Sequence, residues 1–102
     1  MWSPKDADVT GLEETIDSLE LGLPELRNFV LPGGCPSGAA LHVARATCRR
    51  AERRITSLSR VEDVASVIPA YLNRLADMLF VAARYANQSA GIPDAALSGK
   101  DV

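Results

Sequence analysis

Apolar residues recur at helical spacing in three stretches of the chain. In the first, Leu12, Ile16 and Leu19 lie four and three residues apart and share one face. Thr10, with Glu13 three positions on, reads as a capping box that opens this helix: the hydroxyl accepts the Glu13 N–H and the carboxylate reaches back. The pattern weakens at Gly22-Leu23-Pro24, because proline cannot continue the hydrogen-bond ladder. Pro32-Gly33-Gly34-Cys35-Pro36-Ser37-Gly38 follows and reads as a loop.

The second stretch predicts an uninterrupted helix over 37–58. Leu41, Ala44, Cys48, Ala51, Ile55 and Leu58 alternate spacings of three and four, the stripe of a helix packed in a bundle. The third predicts a helix over 66–87, with Ile68, Leu72, Leu75, Leu79, Ala82 and Ala86 in register. Pro69 is tolerated in its first turn, and Gly91-Ile92-Pro93 stops it. Tyr71, Met78 and Tyr85 widen its apolar face, as expected of a helix covered on more than one side. No strand pattern competes. The chain therefore reads as all-α, a helical bundle with about three helices in residues 10–93. Loose segments are expected at 1–9 and 94–102.

Composition adds limits. At 102 residues, 47% apolar and 24% charged, the chain is one domain or part of one, and disorder is excluded. No apolar run reaches membrane-spanning length, and no secretory signal opens the chain. Two cysteines, Cys35 and Cys48, in no C-x-x-C pair fit a reducing, cytoplasmic setting. With a single histidine, they are too few for a four-ligand zinc site.

Charge is unevenly spread, at −5 over residues 1–40, +5 over 41–60 and −2 over 61–102. The basic block falls on the second helix. At about 100° per residue, His42, Arg45, Arg49, Glu52 and Arg53 gather beside the apolar stripe, while Arg50 lies nearly opposite it. Forked guanidiniums aligned in this way suit a polyphosphate. A solvated face laced with salt bridges, or a nucleic-acid surface, would give the same wheel. The acidic remainder and scarce lysines weigh against nucleic acid. Glu52 could hold one arginine, or bind a ligand hydroxyl or a metal. The third helix carries a matching edge of Asn73, Asp77, Phe80 and Arg84, in which Asn73 offers both donor and acceptor. Arg74 and Arg84 could pair with Asp77 as ordinary surface partners. The glycine loop lacks a P-loop lysine.

Five blocks in order carry a resemblance: F-V-L-P-G-G (29–34), A-L-H-V-A-R (40–45), C-R-R-A-E-R-R (48–54), Y-L-N-R-L-A-D (71–77) and L-F-V-A-A-R-Y-A-N (79–87). Over roughly residues 10–93 the chain resembles the PduO-type ATP:cob(I)alamin adenosyltransferases, with Ala76 where that family usually has serine. The resemblance implies a five-helix bundle, of which these helices are the later part, assembled as a homotrimer with sites between subunits. It implies transfer of the 5′-deoxyadenosyl group of ATP to cob(I)alamin, with release of triphosphate and Mg2+ travelling on the ATP. It places Phe29 on the corrinoid side, where it helps displace the lower axial base. It places Arg49, Arg50, Glu52, Arg53 and Asn73 on ATP and, with Phe29 and Glu52, makes Arg45 part of the catalytic set. No dedicated metal ligand is expected. The two further helices and the Gly/Thr-rich segment that family members carry in front have no match here. The expectation is either a fragment of a longer protein or a partial site completed by another chain. The alternative is a shortened, non-catalytic member that binds ATP or corrinoid, or associates with full-length subunits.

Overall fold

The computed structural model describes residues 2–24 and 34–92, which form three helices and no strand. Helix α1 spans Asp6–Glu20, α2 Pro36–Leu58 and α3 Val67–Ser89. The expected Phe29 loop segment and the tail beyond Ile92 lie outside the described residues.

Helix α1 starts four residues earlier than the sequence pattern indicates. Its N-cap is Lys5, whose N–H donates to the Asp8 carboxylate at 2.9 Å. Thr10 is interior and its hydroxyl donates back to the Asp6 carbonyl at 3.2 Å, so no capping box forms with Glu13. Two acids in the first turn complement the positive end of the helix dipole. Helix α2 begins with Pro36 at its first position, after Cys35, whose Sγ accepts the Gly38 N–H at 3.4 Å. Helix α3 ends in a Schellman turn: Gly91 takes φ +76°, its N–H donates to the Gln88 carbonyl, and the Ile92 N–H donates to the Asn87 carbonyl at 2.8 Å.

Helix α3 is central. It packs against α2 on one flank and α1 on the other, while α1 and α2 do not meet. Trp2 meets Tyr71 edge-to-face at 5.6 Å and Arg84 reaches Pro24, so α1 runs parallel to α3. Arg45 reaches Phe80 and Cys35 reaches Asn87, so α2 runs antiparallel. The result is a layer of three helices rather than a closed bundle. Among the described residues the buried apolar ones are small: Cys48, Ala76, Val81 and Ala83, the two alanines completely covered. The predicted stripe of α3 is half-buried throughout, and Ala44 and Leu58 of the α2 stripe are exposed. Helix α2 instead turns His42 inward, to 7% exposure, with Arg45 and Glu52 half-buried. No helix among the described residues is long and apolar enough to cross a membrane.

Candidate functional site

The seam between α2 and α3 collects the polar side chains singled out by the two helical wheels. Antiparallel packing sets Glu52 opposite Asn73, whose Nδ2 donates to Oε1 at 3.4 Å. The other Glu52 oxygen is shielded from solvent, and the Arg49 guanidinium stands 3.8 Å from it. Asn73 Oδ1 accepts from Nε of Arg74 at 3.2 Å and from its Nη2. Nη2 also meets the Asp77 carboxylate at 2.9 Å. A continuous chain therefore runs from Arg49 through Glu52, Asn73 and Arg74 to Asp77. Both ends of the Asn73 amide are engaged, which fixes its orientation.

A turn along α2, the Arg45 guanidinium lies 5.0 Å from the centre of the Phe80 ring, and His42 meets the same ring edge-on at 6.2 Å. Phe80 thus holds the Arg45 cation against a π face while leaving its N–H donors available. Below Arg49, the Cys48 thiol donates to the Leu72 carbonyl at 3.3 Å. Burial pushes this thiol above its ordinary range and the Glu52 charge adds to the effect, with Arg49 opposing. The seam therefore keeps Cys48 as a neutral donor.

On the other side of α3, a cleft of about 520 Å³ opens toward α1. Ile16, Glu20, Leu23 and Pro24 line one wall, and Arg74, Asp77, Phe80 and Arg84 the other. Arg74, Asp77 and Phe80 thus border both seam and cleft.

Of the expected site residues, the structure brings Arg49, Glu52 and Asn73 together and sets Arg45 beside them. Arg50 and Arg53 do not join them: with Arg54, Ile55, Ser57 and Leu58 they line a shallow depression on α2. Phe29 lies outside the described residues. Asp77 pairs with Arg74 of its own helix, one of its two expected surface partners. The wheels missed Arg74 as the link between Asn73 and Asp77, although its place next to Asn73 was a usable signal. They also gave no role to Asn87, a polar residue on an apolar helix, which is buried against the start of α2. No cluster of three His, Cys, Asp or Glu able to hold a metal occurs among the described residues.

A family model described as cobalamin adenosyltransferase matches residues 2–86. The chain is 44% identical over 89 residues to a corrinoid adenosyltransferase of Bacillus subtilis, covering 87% of this chain and 46% of that protein. It is 41% identical over 98 residues to the corrinoid adenosyltransferase MMAB of Mus musculus, covering 96% and 41%. Among solved structures it is similar to a PduO-type ATP:corrinoid adenosyltransferase from Lactobacillus reuteri, a phenylalanine-to-histidine variant complexed with cobalamin and ATP. The TM-score is 0.90 at 39% identity, over 96% of this chain and 53% of that one. An arginine-to-lysine variant of the Lactobacillus reuteri protein, complexed with ATP, gives 0.88 at 39% identity, over 95% and 55%. The chain thus spans about half the length, or less, of the relatives it matches.

Proposed function

The chain belongs to the cobalamin adenosyltransferase family, and from that membership we propose that it forms the α2–α3 part of a corrinoid adenosyltransferase site. In the reaction, the electron pair of cob(I)alamin attacks C5′ of ATP. The cobalt–carbon bond forms as the C5′–oxygen bond breaks, and that pair leaves on triphosphate.

The observation that carries this reading is the fixed chain of Arg49, Glu52 and Asn73 beside Arg45 on Phe80. Arg49 meets the triphosphate, whose charge grows as it departs, with donors already aligned. Glu52 orients Arg49 and Asn73, and the second N–H of the Asn73 amide is the donor offered to the nucleoside. Arg45 adds a cation whose position is set by the Phe80 ring. Phe29 takes the corrinoid side. Most of the catalysis is then positioning and electrostatics, with C5′ held in line with cobalt. Mg2+ enters on the phosphates, and no step assigned to these residues depends on it.

Arg50 and Arg53 face away from α3, so a triphosphate that reaches them lies against another copy or another chain. We assign the site to a homotrimer, or to a complex in which a second chain completes it. Two unpaired thiols support a cytoplasmic location.

The test uses the purified chain, and a graft in which its residues 10–92 replace the matched segment of the Bacillus subtilis relative. Both are titrated with ATP by calorimetry, then mixed with ATP and chemically reduced cobalamin while adenosylcobalamin absorbance is followed. Heat with ATP and product from the graft are expected. ATP heat without product would favour the non-catalytic alternative. A folded graft that neither binds ATP nor makes product overturns the proposal.

A further inference from the structure

Asn73 stands between two carboxylates. Glu52 lies across the seam, where its Oε1 accepts from Nδ2 at 3.4 Å. Asp77 lies four positions on along α3, and side chains so spaced share a helix face. Arg74 comes between: its Nη2 bonds both Asn73 Oδ1 and the Asp77 carboxylate, so a single nitrogen separates those two groups. Adjacent residues of a helix do not ordinarily face each other, yet Arg74 bends back to its neighbour Asn73 with two nitrogens while Asp77 holds the far side of its guanidinium.

This arrangement decides which way the Asn73 amide turns. The bond to Glu52 is long, against 3.2 Å for the bond from Arg74 Nε, so Glu52 alone holds the amide weakly. Turned over, the amide would set Oδ1 against the Glu52 carboxylate and its NH2 group against a guanidinium, two repulsive pairings. With Arg74 removed, the second repulsion disappears and Asp77 becomes a bare acceptor on the same helix, a rival to Glu52 for Nδ2. The Arg74–Asp77 pair itself does little for the fold, since the two side chains are 38% and 44% exposed and exposed pairs of this kind contribute little to stability. Its effect falls on what Asn73 displays. With Oδ1 and one N–H engaged, the amide offers one N–H and no acceptor.

We propose that Arg74 and Asp77 are positioning residues: Arg74 masks both Asn73 Oδ1 and the Asp77 carboxylate, which keeps the amide turned to Glu52 and aims its remaining N–H at an acceptor on the nucleoside of ATP. The ligand half rests on the adenosyltransferase reading. The masking itself stands on the bonds of the seam.

Masking and plain structural support predict opposite outcomes when both residues are removed. If the pair merely braced the helix, the double variant would be the worst of three. If Arg74 masks Asp77, removing Asp77 as well removes the rival, and the amide returns to Glu52. The experiment therefore compares Arg74→Ala, Asp77→Ala and the double variant in the graft, each checked for helix content by circular dichroism. Arg74→Ala is expected to raise the Kd for ATP roughly fivefold, the factor one hydrogen bond is worth, with KM for cob(I)alamin unchanged. Asp77→Ala alone changes it less than about twofold, because Arg74 still bonds Asn73, and the double variant returns to within about twofold of the parent. An unchanged Kd in Arg74→Ala, or a loss in the double variant as great as in Arg74→Ala, overturns the assignment.

A second readout needs no nucleotide. In the isotope-labelled chain, the two side-chain amide protons of Asn73 are identified by their loss in Asn73→Asp. Their chemical shifts are expected to move on Glu52→Gln in the parent and in the double variant, but not in Arg74→Ala, where the amide has turned to Asp77. A response to Glu52→Gln that survives in Arg74→Ala overturns the masking. If the parent graft neither binds ATP nor makes adenosylcobalamin, the adenosyltransferase reading fails on that result, while the amide protons still decide whether Arg74 sets the orientation.

Discussion

Gly38 occupies the third position of α2, where alanine would ordinarily stabilise the helix by about 1 kcal/mol. A Cβ there would stand 2.7 Å from Cγ of Asn87, closer than real carbon contacts allow. Crowding of this kind costs about 1–3 kcal/mol and outweighs the propensity gain, so Gly38→Ala is expected to destabilise the chain. In an Asn87→Ala background the obstacle is gone, and the same change becomes neutral or stabilising. Urea unfolding of the four proteins of this double-mutant cycle checks the reversal of sign, and additive effects would contradict it. The two thiols diverge in the same concrete way. The Ser37 hydroxyl, then the Gly38 N–H, hold Cys35 below the ordinary thiol range, whereas burial holds Cys48 above it. Thiolate is the reactive form, so iodoacetamide at pH 8 should label Cys35 first and Cys48 only on unfolding, as peptide mass spectrometry would show. The sign for stability follows from Cys48. Its raised folded value means that its contribution is present below the ordinary thiol pKa and is lost as pH climbs past it.

The helix faces separate two neighbouring arginines. Arg49 points along the seam toward Glu52, while Arg50 lies with Arg53 and Arg54 on the outer face. Arg49→Ala should therefore weaken ATP binding more than Arg50→Ala in calorimetric titration of the graft. Equal losses would mean that a neighbouring copy draws the nucleotide to the outer face. Sequence periodicity located α2 and α3 to within two residues, because apolar spacing and the flanking prolines and glycines are local signals. It misplaced the start of α1, because Thr10-x-x-Glu13 satisfies the capping pattern while Asp8 makes the actual bond to Lys5. It also missed the rotation of α2. Spacing identifies a stripe, but the depth of each flank depends on what the neighbouring helix offers. Here Phe80 and Asn73 of α3 draw His42, Arg45 and Glu52 inward and leave Ala44 outside. Arg49, Glu52 and Asn73 were legible as residues of one edge on each wheel. The bonds from Arg84 to the Pro24 carbonyl and from the Cys35 N–H to Asn87 were not, since they join residues 60 and 52 positions apart.

Three helices in one layer bury little: among the described residues no large side chain is fully covered, while Leu21, Val43 and Val61 are each at least two-thirds exposed. Apolar surface of this kind is a driving force for association. The thermal midpoint of the purified chain should accordingly rise with protein concentration, by mass action on the folded, associated form. A midpoint constant over a hundredfold range of concentration, with a single monomeric species in sedimentation, would contradict this. The central position of α3 has a kinetic counterpart. Among the described residues α1 and α2 each pack on α3 and not on one another, so either flank can peel away while the other stays docked, but α3 cannot melt unless both have let go. In deuterium labelling, the amides around Ala76–Ala83 should therefore be the last to exchange, whichever flank opens first.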